Sequence, residues 1–214
     1  MSSLSTKYQF IIEYFQKNNP NAKSELLYNN SFELLVAVVL SAQCTDKRVN
    51  MVTPTLFTQY PTAKTMASAS VDEIFQLIKS ISYPNNKAKH LHDLAEKLTT
   101  NFCGTVPQTR EELMTLSGVG RKSANVILSV CYHQPAMAVD THVFRVSHRL
   151  GIVSTGAKTP ERVEQELVSN FPDELIAVAH HWLILHGRYV CTAIKPQCQT
   201  CGLNDICEKR NLKN

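Results

Sequence analysis

The chain has 214 residues, enough to bury one sizeable core or two small ones, and its 43% apolar and 19% charged composition is that of an ordinary globular protein. Seven glycines and nine prolines argue against a turn-rich all-β fold, and no apolar run reaches the roughly 18 residues that a membrane-crossing helix needs. The net charge of +4 suits an anionic partner without requiring one.

The first stretch, MSSLSTKYQFIIEYFQK, has neither a long apolar segment nor a small-residue cleavage site, so a cytoplasmic protein is expected. Next, SFELLVAVVLSAQCTD opens on a serine suited to an N-cap and is apolar enough for a core helix. VDEIFQLIKSI places Ile74, Leu77, Ile78 and Ile81 at helical spacing, and KAKHLHDLAEKLTTNF places Ala88, Leu91, Ala95 and Leu98 on one face. Thr109 and Glu112 have capping-box spacing, and the helix they start is expected to stop at Gly118. A helix is expected from Lys122 to His133, and another from Asp140 to a left-handed cap at Gly151. Thr159 followed by Pro160 starts the next. PDELIAVAHHWLILHG is the last long helix, ending at Gly187. With no convincing strand and no repeat, the expected class is all-α.

Three features carry chemistry. The first is LSGVGRKSANV, two helices joined by a Gly-x-Gly turn. Glycines let a backbone approach a ligand closely, and the N–H groups of a new helix attract anions. Such a turn can hold phosphate without reading base sequence; it can also be a tight corner with solvated charges. Arg121 stands where a Walker A loop has glycine, which excludes that motif.

The second is the pair Lys122 and Asp140. A helix from Lys122 to His133 rises about 18 Å, and an extended Pro135–Val139 can return about 17 Å. A lysine facing a carboxylate suggests covalent catalysis at an electrophilic carbon, provided the amine is desolvated. The alternatives are a surface lysine and an aspartate that only caps its helix.

The third is Cys191, Cys198, Cys201 and Cys207, spaced C-x6-C-x2-C-x5-C within 17 residues. So short a segment needs a metal to organise it, and four thiolates suit either zinc or an iron–sulfur cluster. Cys44, Cys103 and Cys131 are expected to be small core residues.

Together LLVAVVLSAQCTD, NNKAKHL, LSGVGRKSANVIL, AVDTHVFRVSHRLG, HHWLILHGRYVC and the cysteine tail resemble, in order, the endonuclease III family of DNA glycosylases. The resemblance implies a [4Fe–4S] cluster on the four cysteines, Lys122 as Schiff-base nucleophile and Asp140 as its catalytic partner. It implies two helical domains with a DNA-binding cleft between them: a six-helix barrel over residues 23–134 carrying the helix–hairpin–helix, and a cluster domain formed by 1–22 and 135–214. It further implies a bifunctional glycosylase and apurinic/apyrimidinic lyase of base excision repair. Such an enzyme removes oxidised or ring-saturated pyrimidines and cuts 3′ to the abasic site by β-elimination. The expected partner is double-stranded DNA holding damaged pyrimidines or abasic sites, bound by a monomer associated with the nucleoid, with no membrane involved.

Gln43 matches the residue that inserts toward the vacated base. Gly118 and Gly120, with Arg121 beside them, match the phosphate-binding hairpin. His142, Arg145 and Lys195 fall on the expected DNA side, while His180, His181 and Trp182 read as packing. Ser82 and Tyr83 replace a common Gly-Leu in which the leucine is a wedge; Tyr83 can serve instead, because an aromatic ring stacks on bases, or it can be a loop aromatic packed on the core. Ser117 replaces a proline and Ser123 a threonine. The presence of Lys122 separates the chain from the adenine-glycosylase branch. A silent DNA clamp would not need both Lys122 and Asp140, and a zinc protein binding another protein would be colourless.

Overall fold

A computed structural model describes residues 3–212, and the described residues are all-α with no strand. The helices are α1 (Leu4–Asn18), α2 (Ser31–Ser41), α3 (Asp46–Gln59), α4 (Ala63–Ala67), α5 (Val71–Ile78), α6 (Pro84–Asn101), α7 (Arg110–Leu113), α8 (Arg121–Tyr132), α9 (Thr141–Leu150), α10 (Pro160–Asn170) and α11 (Ile176–Tyr189). Two compact units emerge: Ser24–Tyr132, and Met1–Lys23 together with His133–Asn214.

In the continuous unit α2 is the central helix, with every residue from Phe32 to Leu40 buried. Its N-cap is Asn30 rather than Ser31, because the Asn30 amide oxygen reaches the Glu33 N–H at 2.9 Å. The apolar stretch does not continue to Asp46. It ends at Ala42, and Thr45 caps a separate α3, which buries Val49, Val52, Thr53 and Leu56 despite Pro54 inside it. Truncating Leu34, Leu35 or Leu40, all fully buried, would cost about 2–5 kcal/mol. Helix α6 packs on α2, α4 and α5 through Ala88, Leu91, Leu94, Ala95 and Leu98. Ile81 is also buried, but beyond the end of α5.

Helix α7 is shorter than its spacing suggests. It stops at Leu113, and the chain reaches Gly118 through successive turns in which Leu116 N–H donates to Leu113 and Val119 N–H to Leu116. Of the scattered cysteines, Cys44 and Cys131 are half-buried but Cys103 is exposed. A left-handed backbone at φ 52° just after α6 turns Cys103 outward, so it is not a core residue.

In the discontinuous unit, α1 lays Tyr8, Ile11 and Phe15 against Val143, Val146, Trp182 and Leu183. Phe15 stacks on Trp182 at 5.6 Å, and Trp182 Nε1 donates to the Asn19 carbonyl at 2.8 Å. Tyr8 closes the other end, its hydroxyl donating to the Ile152 carbonyl at 2.9 Å. Lys7 pairs with Glu208, which also pairs with Arg210, tying the N-terminal helix to the C-terminal segment. Thr159 caps α10 with Pro160 in its first turn, and Gly151 ends α9 at φ 72°. His180, His181 and Trp182 are buried.

Candidate functional site

Within the continuous unit, the turn between α7 and α8 exposes Gly118 and Gly120 while Val119 between them is buried as an anchor. Gly118 has φ 79°, and a Cβ there would sit 3.1 Å from Val39 and 3.2 Å from His90. The hairpin therefore rests directly on α2 and α6. His90 Nδ1 is also 2.8 Å from Ser117 Oγ, and Lys97 donates to the Thr115 carbonyl at 2.8 Å. Gly120 supplies the carbonyl that accepts from Ala124 N–H at 2.9 Å, the N-cap position of α8. A Cβ on Gly120 would meet nothing within 4 Å, so an anion can approach this helix start unobstructed. Lys122 lies exposed in the first turn of α8, with Arg121 half-buried beside it.

The same two helices carry Gln43 and Tyr83. Gln43 follows the end of α2 at φ 52°, and Tyr83 precedes α6 at φ 55°. Both side chains are exposed, Tyr83 to 62%. A left-handed backbone at a non-glycine residue costs about 1–3 kcal/mol and persists only where its surroundings enforce it. Between the two turns lies Lys87, which is 5% exposed. Its ammonium donates to the carbonyls of Leu40 at 2.8 Å and Ala42 at 2.6 Å and to Ser82 Oγ at 3.2 Å. Burial holds the Lys87 pKa below the usual lysine value, partly opposed by Cys44.

In the discontinuous unit, one Asp140 carboxylate oxygen accepts the N–H groups of both His142 and Val143 at 2.8 Å, capping α9. Arg145, further along α9, donates to the carbonyls of Cys191 at 3.1 Å and Gly187 at 2.8 Å, with His142 Nδ1 at 3.2 Å. Arg149 is 6% exposed and donates to the carbonyls of Thr192 at 2.7 Å and Ala193 at 2.9 Å; its Nη1 is 3.4 Å from Cys191 Sγ. Helix α9 thus fixes the loop that presents the exposed Lys195.

Cys191, Cys198, Cys201 and Cys207 line one small cavity together with Arg149, His186 and Leu212. Among the described residues no group of three or more His, Cys, Asp or Glu side chains converges to hold a single metal ion. Four cysteines lining one cavity offer the donor set of a metal group. Burial pushes the thiol pKa values of Cys201 and Cys207 up, backbone hydrogen bonds from Leu203 and Lys209 pull them back, and the neighbouring cysteines raise them further. Four thiolates here would repel one another without a cationic centre, so the donor set fits an iron–sulfur cluster. His186, not singled out from the sequence, lies with Nε2 3.7 Å from Cys201 Sγ, its pKa pushed down to about 4 by burial. Arg149, His186 and Lys87 were all missed as supporting groups. Yet Lys87 sits four, seven and eleven residues before Leu91, Leu94 and Leu98, on the buried stripe of α6.

Residues 36–173 match the HhH-GPD superfamily of base excision DNA repair proteins, and residues 191–207 match the iron–sulfur binding domain of endonuclease III. The endonuclease III of Rickettsia felis is 48% identical over 201 residues, which is 94% of this chain and 93% of the relative. That of Bacillus subtilis is 45% identical over 208 residues, 96% of this chain and 94% of the relative. A solved structure of a trapped endonuclease III–DNA covalent intermediate has a TM-score of 0.90 at 43% identity, covering 98% of this chain and 97% of that one. The cofactor is accordingly a [4Fe–4S] cluster. Identity at this level, sustained across nearly the whole length, means that the chain belongs to the endonuclease III family.

Proposed function

We propose that the protein is a bifunctional DNA glycosylase and apurinic/apyrimidinic lyase of base excision repair. It acts as a monomer on nucleoid DNA in the cytoplasm and removes oxidised or ring-saturated pyrimidines. The observation that carries this reading is local: the Gly118–Gly120 hairpin, open to an anion, leads within two residues to the exposed Lys122. Phosphate held at the hairpin brings a deoxyribose to the lysine amine. Because Lys122 is exposed, the desolvation that a nucleophilic amine needs comes from the bound DNA.

The damaged base cannot react inside the stack and is extruded at a cost of a few kcal/mol. Gln43 fills toward the vacated position, and Tyr83 inserts between bases of the duplex. Arg121, His142, Arg145 and Lys195 serve the DNA side, Arg145 chiefly by holding the loop that carries Lys195. The neutral Lys122 amine attacks C1′, and the glycosidic bond breaks with its electron pair leaving on the base. Asp140 takes up the amine proton or stabilises the positive charge on the sugar. The C1′–O4′ bond then breaks and O4′ takes up a proton, leaving a C1′ iminium that acidifies C2′–H. Loss of that proton expels the 3′ phosphate, and water then releases the enzyme.

Cys191, Cys198, Cys201 and Cys207 hold the cluster. When bound, the cluster supplies a rigid cross-link for residues 191–207, through which α9 and the Lys195 loop keep their positions.

The test is a duplex with one thymine glycol, incubated with the purified brown protein and resolved on a denaturing gel. The expected product is a nick carrying a 3′ unsaturated aldehyde. An abasic site that breaks only on heating with alkali would make the enzyme monofunctional, and an intact lesion would remove the reading.

A further inference from the structure

We infer that Lys87 is a positioning residue that joins Gln43 and Tyr83 into a single preformed insertion device. The inference rests on the insertion roles proposed above for those two residues.

The helix ends explain the geometry. The last carbonyls of α2 lack intrahelical partners and carry the negative end of the helix dipole. Lys87 reaches two carbonyls there, of Leu40 and Ala42, immediately before Gln43. Its third donor goes to Ser82 Oγ, immediately before Tyr83. An ammonium has three N–H donors, and all three are used. Ser82 completes the link by donating to the Gln43 carbonyl at 2.7 Å, and the Lys87 backbone N–H donates to the Tyr83 carbonyl at 3.1 Å. One buried cation is therefore bonded to both sides of a pair of turns that are 39 residues apart in sequence.

Both turns go against local preference. A left-handed residue after a helix favours glycine, yet position 43 is glutamine. An N-cap favours a short polar side chain in extended backbone, yet Tyr83 is left-handed and makes no side-chain capping bond. Two exposed side chains held in disfavoured backbone, with a buried lysine between their loops, describe a tool set in place before DNA arrives. Lys87 is too buried to touch DNA and acts through the two residues that do.

The test compares Lys87→Met, the milder Ser82→Ala, and a Gln43→Ala/Tyr83→Ala double variant, each checked for cluster absorbance and helical circular dichroism. Three readouts are taken: single-turnover base release from a thymine-glycol duplex, fluorescence of 2-aminopurine placed opposite the lesion, and borohydride trapping on a single-stranded abasic oligonucleotide, which needs no extrusion. Lys87→Met is expected to lose about 100-fold in duplex release together with the 2-aminopurine signal, while single-stranded trapping stays at the wild-type level. Ser82→Ala moves the same two readouts in the same direction by less. Adding Lys87→Met to the double variant adds nothing further.

Equal losses on both substrates, wild-type behaviour of Lys87→Met on the duplex, or multiplying losses in the triple variant each overturn the inference. If the double variant itself releases base and perturbs 2-aminopurine as wild type does, the insertion reading has failed and this inference with it. If the double variant is impaired and Lys87→Met is not, only this inference has failed.

Discussion

Replacing Gly118 with alanine tests whether the hairpin is seated as described. At φ 79° an L-residue costs about 1–2 kcal/mol relative to glycine. The new methyl would lie 3.1 Å from Val39 Cγ1, 3.2 Å from His90 Cβ and 3.3 Å from His90 Cγ. Val39 is 3% exposed inside α2, and His90 Cβ is tied to the α6 backbone, so neither yields easily. Overpacking of this kind adds about 1–3 kcal/mol, for a total loss of about 2–5 kcal/mol. Gly120→Ala is the internal control. Its Cβ meets nothing within 4 Å, so stability should change by no more than about 0.5 kcal/mol, while DNA affinity falls about tenfold as the methyl blocks a charge-assisted backbone contact. Urea denaturation followed by circular dichroism measures the first effect, and fluorescence anisotropy with a labelled duplex at fixed salt measures the second. Wild-type stability for Gly118→Ala, or a destabilised Gly120→Ala, would mean that the hairpin does not rest on α2 and α6 in this way.

Asp140 caps α9 and, in the proposed function, also serves the chemistry. Asn keeps the α9 cap, so Asp140→Asn should match wild type in stability, whereas Asp140→Ala loses about 0.5–2 kcal/mol; both should slow base release by about 100-fold or more, and full activity in the Asn variant would reduce Asp140 to a cap. His181 is held neutral in the fold, its pKa pushed down to about 4 by burial and then by Arg188. The unfolded chain binds that proton near pH 6.5, so this stability is fully present above pH 6.5 and is lost as pH falls toward 4. Unfolding free energies from urea denaturation at pH 7 and 5.5 should differ by about 1 kcal/mol from this group, and a His181→Gln variant should show a flatter pH dependence. Cys198→Ser should give a colourless protein cleaved by proteinase K within residues 191–207; retained brown absorbance would exclude Cys198 as a ligand.

The helix pattern was legible because caps and apolar spacing act locally: Asp140, Gly151 and Thr159 bound their helices where the residue types indicate. Helix α3 was not, since Pro54 and a polar composition hide it and its stability comes from packing on α2 and α5. The one-turn α7 lies below the length at which periodicity means anything. At the candidate site, glycines, Lys122 and the cysteines stand out because their chemistry is rare at those spacings. Lys87 and Arg149 do not. A lysine or arginine in a helix reads as a solvated charge, and only the tertiary fold shows that each ends on main-chain carbonyls of distant loops. Nothing in the neighbouring residues reveals that Gln43 and Tyr83 share one left-handed arrangement.

The proposed chemistry turns on a covalent bond between Lys122 and the sugar. Borohydride trapping on a thymine-glycol duplex tests it most directly, with wild type and Lys122→Ala run side by side. Wild type is expected to give a protein–DNA adduct that vanishes in the variant, although both bind the duplex. Wild-type binding without an adduct, there and on an abasic duplex, or an undiminished adduct with Lys122→Ala, would contradict it.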